Sequence, residues 1–254
     1  MNNYPLSIII ITKNEQETIR DCLESVSWAK EIIILDSGST DLTESICREY
    51  TDKFFIKDWP GFGEQKQRAL DLASQMWVFS IDADERLTSD LKEEIISIIE
   101  SDRQESGFYV PRLSHYLGKE IRYAGWYPDY VIRLVRSQKA RFTDDKIHER
   151  IILDGKVGRL SSHMLHYPYK NIEHHIQKIN LYSSISALIL FEKGKRISWA
   201  MIFTKSMFSF LRSYFIKRGF LGGWVGLIVS CSSAISVYLK YLKLKEHHRK
   251  KNKI

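Results

Sequence analysis

In the first hundred residues, apolar positions come in short unbroken runs. Between the runs they recur every three or four residues. Ser7-Ile8-Ile9-Ile10-Ile11-Thr12 and Glu31-Ile32-Ile33-Ile34-Leu35-Asp36 are runs of the first kind. A continuous β-branched run predicts a parallel strand covered on both faces. Further strands are predicted near Phe54-Phe55-Ile56 and over Met76 to Ile81. Ile19, Cys22, Leu23 and Val26 mark one face of a helix. A second helix opens at Gly61-Phe62-Gly63 and runs through Gln65, Arg68, Ala69, Leu72 and Ala73. Thr88-Ser89-Asp90 caps a third that reaches about Ser101. Strands alternating with helices predict an α/β fold, a mostly parallel sheet wound by right-handed crossovers. Ligands of such sheets sit at the carboxyl ends of the strands. Here those ends are Thr12-Lys13-Asn14-Glu15, Asp36-Ser37-Gly38 and Asp82-Ala83-Asp84-Glu85, so polar residues converge on one edge.

From Ile172 the period becomes helical. Ile176, Ile179, Ile185, Leu188 and Ile189 fit an amphipathic helix to about Glu192, broken at Gly194-Lys195. A strongly apolar helix follows from Ser198 to Lys217, with a narrow polar stripe of Ser198, Lys205, Ser209 and Arg212. Gly219 to Leu239 then carries no charge over 21 residues, which reaches the length of a membrane span. Four Gly and four Ser dilute its hydrophobicity, and cations flank both ends: Lys217-Arg218 before it, and seven basic residues against Glu246 from Lys240 to Lys253. That symmetry predicts helices lying in the membrane interface, held by apolar area and anionic lipid, rather than crossing. The pattern therefore divides the chain into residues 1–170 and 171–254. His174-His175, at a helix start, is expected in solvent.

Charge follows the same division. Of a net +7, residues 1–170 hold 23 Lys+Arg against 28 Asp+Glu, a net −5; residues 171–254 hold 15 against 3, a net +12. A basic, aromatic-rich tail on an acidic body points to a phosphate-bearing surface. The tail's aliphatic and aromatic content favours lipid over nucleic acid. Three cysteines with no metal-ligand spacing point to reduced thiols in a cytosolic setting. The six-residue apolar run from Leu6 is too short for a signal peptide.

The carboxylates at the end of the fourth strand carry the chemistry. In an extended segment, Asp82 and Asp84 point to one side, and two carboxylates there make a hard oxygen site. That site suits Mg²⁺ or Mn²⁺ holding a diphosphate; the alternative is a polar loop preceding the next helix. No G-x-G-x-x-G follows the first strand and no G-x-x-x-x-G-K-[ST] is present, which argues against dinucleotide-binding and P-loop proteins.

Four pieces in order resemble glycosyltransferase family 2, of the GT-A fold: Thr12-Lys13-Asn14-Glu15, Leu35-Asp36-Ser37-Gly38-Ser39-Thr40-Asp41, Gly63-Glu64-Gln65-Lys66-Gln67-Arg68-Ala69 and Ile81-Asp82-Ala83-Asp84-Glu85. Gly125-Trp126-Tyr127-Pro128-Asp129, Arg133-Leu134, Ile147-His148-Glu149-Arg150 and His166-Tyr167-Pro168-Tyr169 resemble the branch that adds β-1,4-glucose to a heptose of the lipopolysaccharide inner core. Lys178-Ile179-Asn180-Leu181-Tyr182-Ser183 and Gly219-Phe220-Leu221-Gly222-Gly223 do likewise.

The resemblance implies a Rossmann-like GT-A domain with a C-terminal helical, membrane-associating extension. It implies a UDP-sugar donor contacted by Thr12, Asn14, Glu15, Asp36, Lys66, Arg68 and Asp82. A divalent metal, Mg²⁺ or Mn²⁺, would sit at Asp84, with Asp82 and His166 as further ligands. The general base would be Glu149, or Asp145, with His148 beside it. Trp126, Tyr127 and Asp129 would shape the acceptor or sugar pocket. Asp36-Ser37 departs from the two acidic residues many members carry there. The acceptor would be a lipid-linked saccharide met at the inner face of the cytoplasmic membrane, where the protein is peripheral on an anionic surface. The alternatives are transfer to a polyprenyl phosphate and a non-catalytic nucleotide-sugar-binding scaffold.

Overall fold

The structure is a computed structural model that describes residues 4–143 and 150–251. The chain divides into two compact units. The first joins Met1–Arg112 to Asp129–His166, and the second joins Leu113–Pro128 to Tyr167–Ile254. A short internal segment, Leu113–Pro128, thus goes with the C-terminal part.

The first unit contains β1 (Tyr4–Thr12), α1 (Ile19–Val26), β2 (Ala29–Asp36), α2 (Thr43–Arg48), β3 (Phe54–Ile56), α3 (Phe62–Asp71), β4 (Trp77–Ser80), β5 (Glu85–Leu87) and α4 (Ser89–Ile99). After them come β6 (Gly107–Tyr116, its last four residues in the second unit), and, past the two-residue β7 (Lys119–Glu120) of that unit, β8 (Asp129–Arg136), β9 (Ala140–Phe142), β10 (Ile151–Leu153), β11 (Val157–Arg159) and β12 (Met164–His166). The main sheet runs β3-β2-β1-β4-β8-β6-β12-β5. Its first four strands are parallel, and β8 turns antiparallel against both β4 and β6.

Period-2 alternation explains why the strand runs are apolar throughout. Ile8, Ile10, Ile32, Ile34, Trp77 and Phe79 enter one core with α1 and α4. Their sequence neighbours Ile9, Ile33, Leu35 and Val78 enter another with Ala69 and Leu70 of α3. Both faces are covered, so the runs of β1 and β2 are apolar throughout and the buried polar residues flank them, Ser7 and Glu31 before and Thr12 and Asp36 after. The four predicted α1 positions are all buried, and Thr88 caps α4 by accepting from Leu91 N at 3.2 Å. The α/β architecture predicted from the pattern is the one observed.

The second unit contains β7, α5 (Ile172–Glu192), α6 (Trp199–Leu211), a π-helical turn at Arg212–Ile216, a 3-10 turn at Gly219–Gly222 and α7 (Gly223–Lys251). α7 is one helix that runs through the uncharged stretch and on into the basic run. By length and composition, Gly219–Lys250 is able to cross a membrane, the mean hydropathy of its most apolar 18 residues being 1.7. A Cβ on Gly226 would lie 1.9 Å from the Gly219 carbonyl oxygen, so this crossing of turn and helix requires glycine.

His175 corrects one expectation. It is buried, its Nδ1 lies 2.9 Å from the Tyr116 hydroxyl, and its ring stacks on Tyr169 at 4.0 Å. Burial lowers its pKa to about 4, helped by His174 and Lys178. A neutral imidazole satisfied by a tyrosine fills the position the sequence left in solvent.

Candidate active site

The parallel strands of the first unit bring Thr12 and Asp36 side by side, since these residues are register partners. Thr12 Oγ1 donates to Asp36 Oδ2 at 2.8 Å. Asp36 also accepts from Gly38 N and Ser39 N through Oδ1, and from Ser39 Oγ through Oδ2. Its two oxygens are therefore taken up by Thr12 of β1 and by the β2–α2 loop. Asn14 has a left-handed backbone, φ 56°, and its side chain accepts from Thr40 N at 2.8 Å, while its own N–H donates to Ser39 Oγ at 2.8 Å. Glu15 N donates to Thr43 Oγ1 at 2.8 Å. These bonds lace the loops after β1 and β2 into one rigid wall. Gln65 on α3 reaches the same wall, donating to Ser37 Oγ at 3.2 Å.

The acidic turn after β4 is fixed from three sides. Glu85 Oε2 accepts from Asp82 N at 3.0 Å, closing the turn on itself. Arg86 clamps it from below by donating to the carbonyls of Ala83, Glu85 and, on α1, Thr18. The buried Cys22 thiol contacts the Asp82 carbonyl at 3.6 Å. Burial pushes that thiol's pKa up, which keeps it protonated.

Charges alternate across this turn. Lys66 Nζ lies 3.0 Å from Asp82 Oδ1, and Arg133 donates to Asp82 Oδ2 at 2.5 Å and to Glu85 Oε1 at 2.6 Å. Arg112 reaches Glu85 Oε1 at 3.1 Å and Asp129 Oδ2 at 2.6 Å. The result is an ordered chain: Lys66, Asp82, Arg133, Glu85, Arg112, Asp129. Burial opposes the charge on Asp82, but Arg133 and Lys66 outweigh it and hold the carboxyl well below the usual carboxylate range. Burial likewise opposes the charge on Arg133, and Asp82 and Glu85 overcome it and raise its pKa.

Asp84 stands outside this chain. β12 pairs antiparallel with β5, setting His166 opposite Glu85. The His166 imidazole Nε2 then lies 3.6 Å from Asp84 Oδ2. Both side chains are partly exposed. Among the described residues, no group of three or more His, Cys, Asp or Glu side chains is placed to hold a metal ion. Among the described residues, Asp84 brings one carboxylate and His166 one imidazole to this place.

The other predicted residues disperse. Arg68 pairs on the surface with Asp58 at 2.9 Å and Glu64 at 2.6 Å. Trp126 packs with Tyr116, Tyr169 and His175 in the second unit, and Tyr127 lies under Arg122 there, with the cation 5.6 Å from its ring. Asp129 belongs to the first unit and ends the charge chain. Glu149, Asp145 and His148 lie outside the described residues.

Sequence reasoning missed Arg112, Arg133 and Arg86 as site residues. Arg133 had a signal: it is a charge inside the apolar run Val131-Ile132-Arg133-Leu134-Val135, and a buried Arg requires partners.

Comparison with known proteins bears on this geometry. The family described as glycosyl transferase family 2 matches residues 7–155. The chain is 35% identical over 257 residues to the lipopolysaccharide core biosynthesis glycosyltransferase LpsC of Rhizobium meliloti (strain 1021), covering 96% of this chain and 93% of that protein. It is 32% identical over 253 residues to an uncharacterized glycosyltransferase of Rickettsia typhi (strain ATCC VR-144 / Wilmington), covering 95% and 87%. Among solved structures it is similar to S. aureus TarS 1-349 in complex with UDP-GlcNAc, with a TM-score of 0.49, 14% identity and coverage of 96% and 91%.

Proposed function

This chain belongs to glycosyl transferase family 2, and we propose that it moves glucose from UDP-glucose to a heptose of a lipid-linked lipopolysaccharide core saccharide, with inversion at the anomeric carbon. The observation that carries this is Asp84 beside His166 at the carboxyl edge of the sheet, next to an Asp82 already bound by two cations. The likeness to the rhizobial core-biosynthesis enzyme supports the acceptor class.

The donor set fits a divalent cation. A carboxylate oxygen of Asp84 and an imidazole nitrogen of His166, both partly exposed, would hold Mn²⁺ or Mg²⁺. Such an ion supplies Lewis-acid compensation for the charge that grows on departing UDP. The protein's own residues do the rest. Lys66 and Arg133 keep Asp82 ionised and aimed, ready to accept from a ribose hydroxyl or to add a ligand. Asn14 and Glu15 line the loop wall that the nucleotide would meet. Glu149, or Asp145, beside His148, takes the proton from the acceptor hydroxyl. Direct attack on an α-linked donor then yields a β product.

We infer a peripheral position on the inner face of the cytoplasmic membrane, where a lipid-linked acceptor is reached. Support comes from the second unit alone: Trp199, Phe203, Met207 and Phe208 of α6 are each about half exposed or more, and α7 carries the basic run. Deleting residues 240–254 is expected to weaken salt-sensitive sedimentation with anionic liposomes.

The deciding experiment offers the purified protein a panel of nucleotide sugars with Mn²⁺ and rough lipopolysaccharide acceptors, reading UDP release and product linkage. UDP-glucose is expected to be used, and Asp84→Ala is expected to lower transfer by about 10²-fold or more with an unchanged circular dichroism spectrum. Full activity in that variant would remove the metal assignment.

A further inference from the structure

The second unit holds a cavity of its own. About 460 Å³ lies between α5 and α7, walled by Ile172, Ile176 and Ile179 on one helix and by Leu227, Ile235 and Leu239 on the other. The α7 wall recurs at three- and four-residue steps, and its middle is formed by the small side chains of Cys231 and Ser232, which keep the space open. Tyr116 and His175 also line it, but their polar atoms satisfy each other at 2.9 Å. Ile172, Ile176, Leu227 and Ile235 are each about half exposed, so the groove opens along an apolar rim. Water in such a groove is displaced favourably by an apolar occupant.

Charge meets this groove at one end. No lining side chain is charged, the buried His175 being neutral at pH 7. Lys178, near the lining on α5, donates to the Pro168 carbonyl and lies over the Tyr169 ring. One turn beyond Leu239 on the same face of α7 stands Lys243. Its ammonium is 2.7 Å from Oδ1 of Asn180, a residue that lines the cavity. Its other partners are the Asn180 carbonyl at 2.7 Å and the hydroxyls of Ser183 and Ser184, each at 2.8 Å. All four are neutral oxygens, so among the described residues these bonds orient the cation without neutralising it. Lys240 and Lys245 flank it in sequence, whereas α7 carries no charge from Gly223 to Leu239.

The width of the groove decides its occupant. At 1.5 Å per residue, the α7 lining from Leu227 to Leu239 spans about 18 Å. Spread over that length, the cavity has a mean cross-section of about 25 Å². A helix with its side chains is about 10–12 Å across and needs roughly 80 Å² or more. A single methylene chain is thin enough, and a cation at one end suits an anionic head. Resting on the membrane reading of the second unit, and narrowing it from a surface to one molecule, we propose that the α5–α7 groove binds an acyl chain of an anionic phospholipid, with the phosphate at the Lys243 end.

The test uses the full chain and a monomeric probe, myristoyl lysophosphatidylglycerol below its micellar concentration. Cys22 and Cys47 are buried, so maleimide reports on Cys231 in the groove. The probe is expected to slow modification of Cys231 saturably by about ten-fold or more, with one lipid per chain in native mass spectrometry. Lysophosphatidylcholine with the same chain is expected to bind about ten-fold more weakly, and the chain-free headgroup to give no protection. Ser232→Phe fills the groove and is expected to lose the bound lipid while keeping its circular dichroism spectrum and its sedimentation with phosphatidylglycerol vesicles. Lys243→Gln is expected to bring the two lipids within about two-fold of each other. Equal protection by the two lipids in the unaltered protein overturns the proposal, and so does lipid retained by folded Ser232→Phe. Protection that grows with protein concentration in the absence of lipid overturns it in favour of a second copy of the chain. Displacement of the probe by rough lipopolysaccharide, with no displacement by phosphatidylglycerol, overturns it in favour of the acceptor. Probe binding without vesicle sedimentation would remove the membrane reading and leave the groove standing; sedimentation without probe binding would do the reverse.

Discussion

Two buried carboxylate clusters sit at opposite ends of the same parallel strands, and they differ in what they leave unfinished. At the amino end, Glu31 on β2 accepts from Ser7, from Lys53, and from both the N–H and the hydroxyl of Ser74. At the carboxyl end, Asp82 and Glu85 are shared among Lys66, Arg133 and Arg112. Both ends open to a cavity, and the larger one, about 490 Å³, is at Glu31. Its charged lining is balanced: Lys30 and Lys53 against Glu31 and Asp52. The smaller cavity, about 440 Å³, is lined among the described residues by Lys66, Arg112, Arg133 and Arg150 with Asp82. Volume does not separate the two ends; what differs is that Glu31 is closed in by its own brace, whereas Asp82 and Glu85 are shared among three cations beside Asp84.

The comparison breaks most readily at Glu85. Glu85→Gln strips the charge that Arg133 and Arg112 share and loosens the turn that presents Asp84. A loss of about 2–3 kcal/mol in stability is expected by denaturant unfolding, because buried Arg133 and partly buried Arg112 each lose one of their two carboxylate partners. Transfer is expected to fall by about ten-fold or more even where the variant remains folded, with donor KM rising. A stable variant with wild-type kinetics would place this cluster in the same class as Glu31.

Glu31→Gln is the complementary change. Burial disfavours its charge, but Lys53, Ser7 and Ser74 outweigh that and bring its pKa to about 2 from an ordinary 4.5. A carboxyl lowered on folding contributes stability above its unfolded pKa, and the contribution is lost as pH falls through the folded value. The window therefore runs from about pH 4.5 down to about pH 2, with a size of roughly 3 kcal/mol at most. Glu31→Gln is expected to flatten that segment of the stability profile while kcat at pH 7 stays within about two-fold. Loss of transfer here would erase the distinction between the two ends.

Lys53→Ala sharpens it with the smallest effect. The Lys53 side chain is 50% exposed, so solvent screens its pairing, and a cost below about 1 kcal/mol is expected in urea melts. The same truncation at Lys66, only 7% exposed, removes a partner from Asp82 and is expected to cost several times more.

The first strands were legible because both faces of β1, β2 and β4 are buried, which leaves unbroken apolar runs, whereas their order in the sheet was not. The edge where Thr12, Asp36 and Asp82 gather followed from the alternation of strand and helix, which makes the strands parallel. What did not follow was how polar residues divide their labour. Asp36 and Asp82 look alike as strand-end acids, yet one is consumed by its own loop and the other is held by cations from α3 and β8. Arg112 and Arg133 come from strands that follow the crossover region, and antiparallel β8 brings them back across the sheet; no local spacing announces that return. His175 escaped because a helix-start histidine reads as polar, whereas its hydrogen-bond partner Tyr116 lies about sixty residues earlier and the ring it stacks on is Tyr169.

The order of charges from Lys66 to Asp129 also bears on how such a site changes over generations. Removing Arg133 alone leaves two carboxylates facing each other, and removing Glu85 alone leaves two guanidiniums. Either step is worse than losing both members together. The six positions are therefore expected to drift as neighbouring pairs of opposite sign, a correlation that an alignment of relatives would expose. A lineage that neutralised one pair at the Asp129 end would shorten the chain and leave the Asp82 end intact.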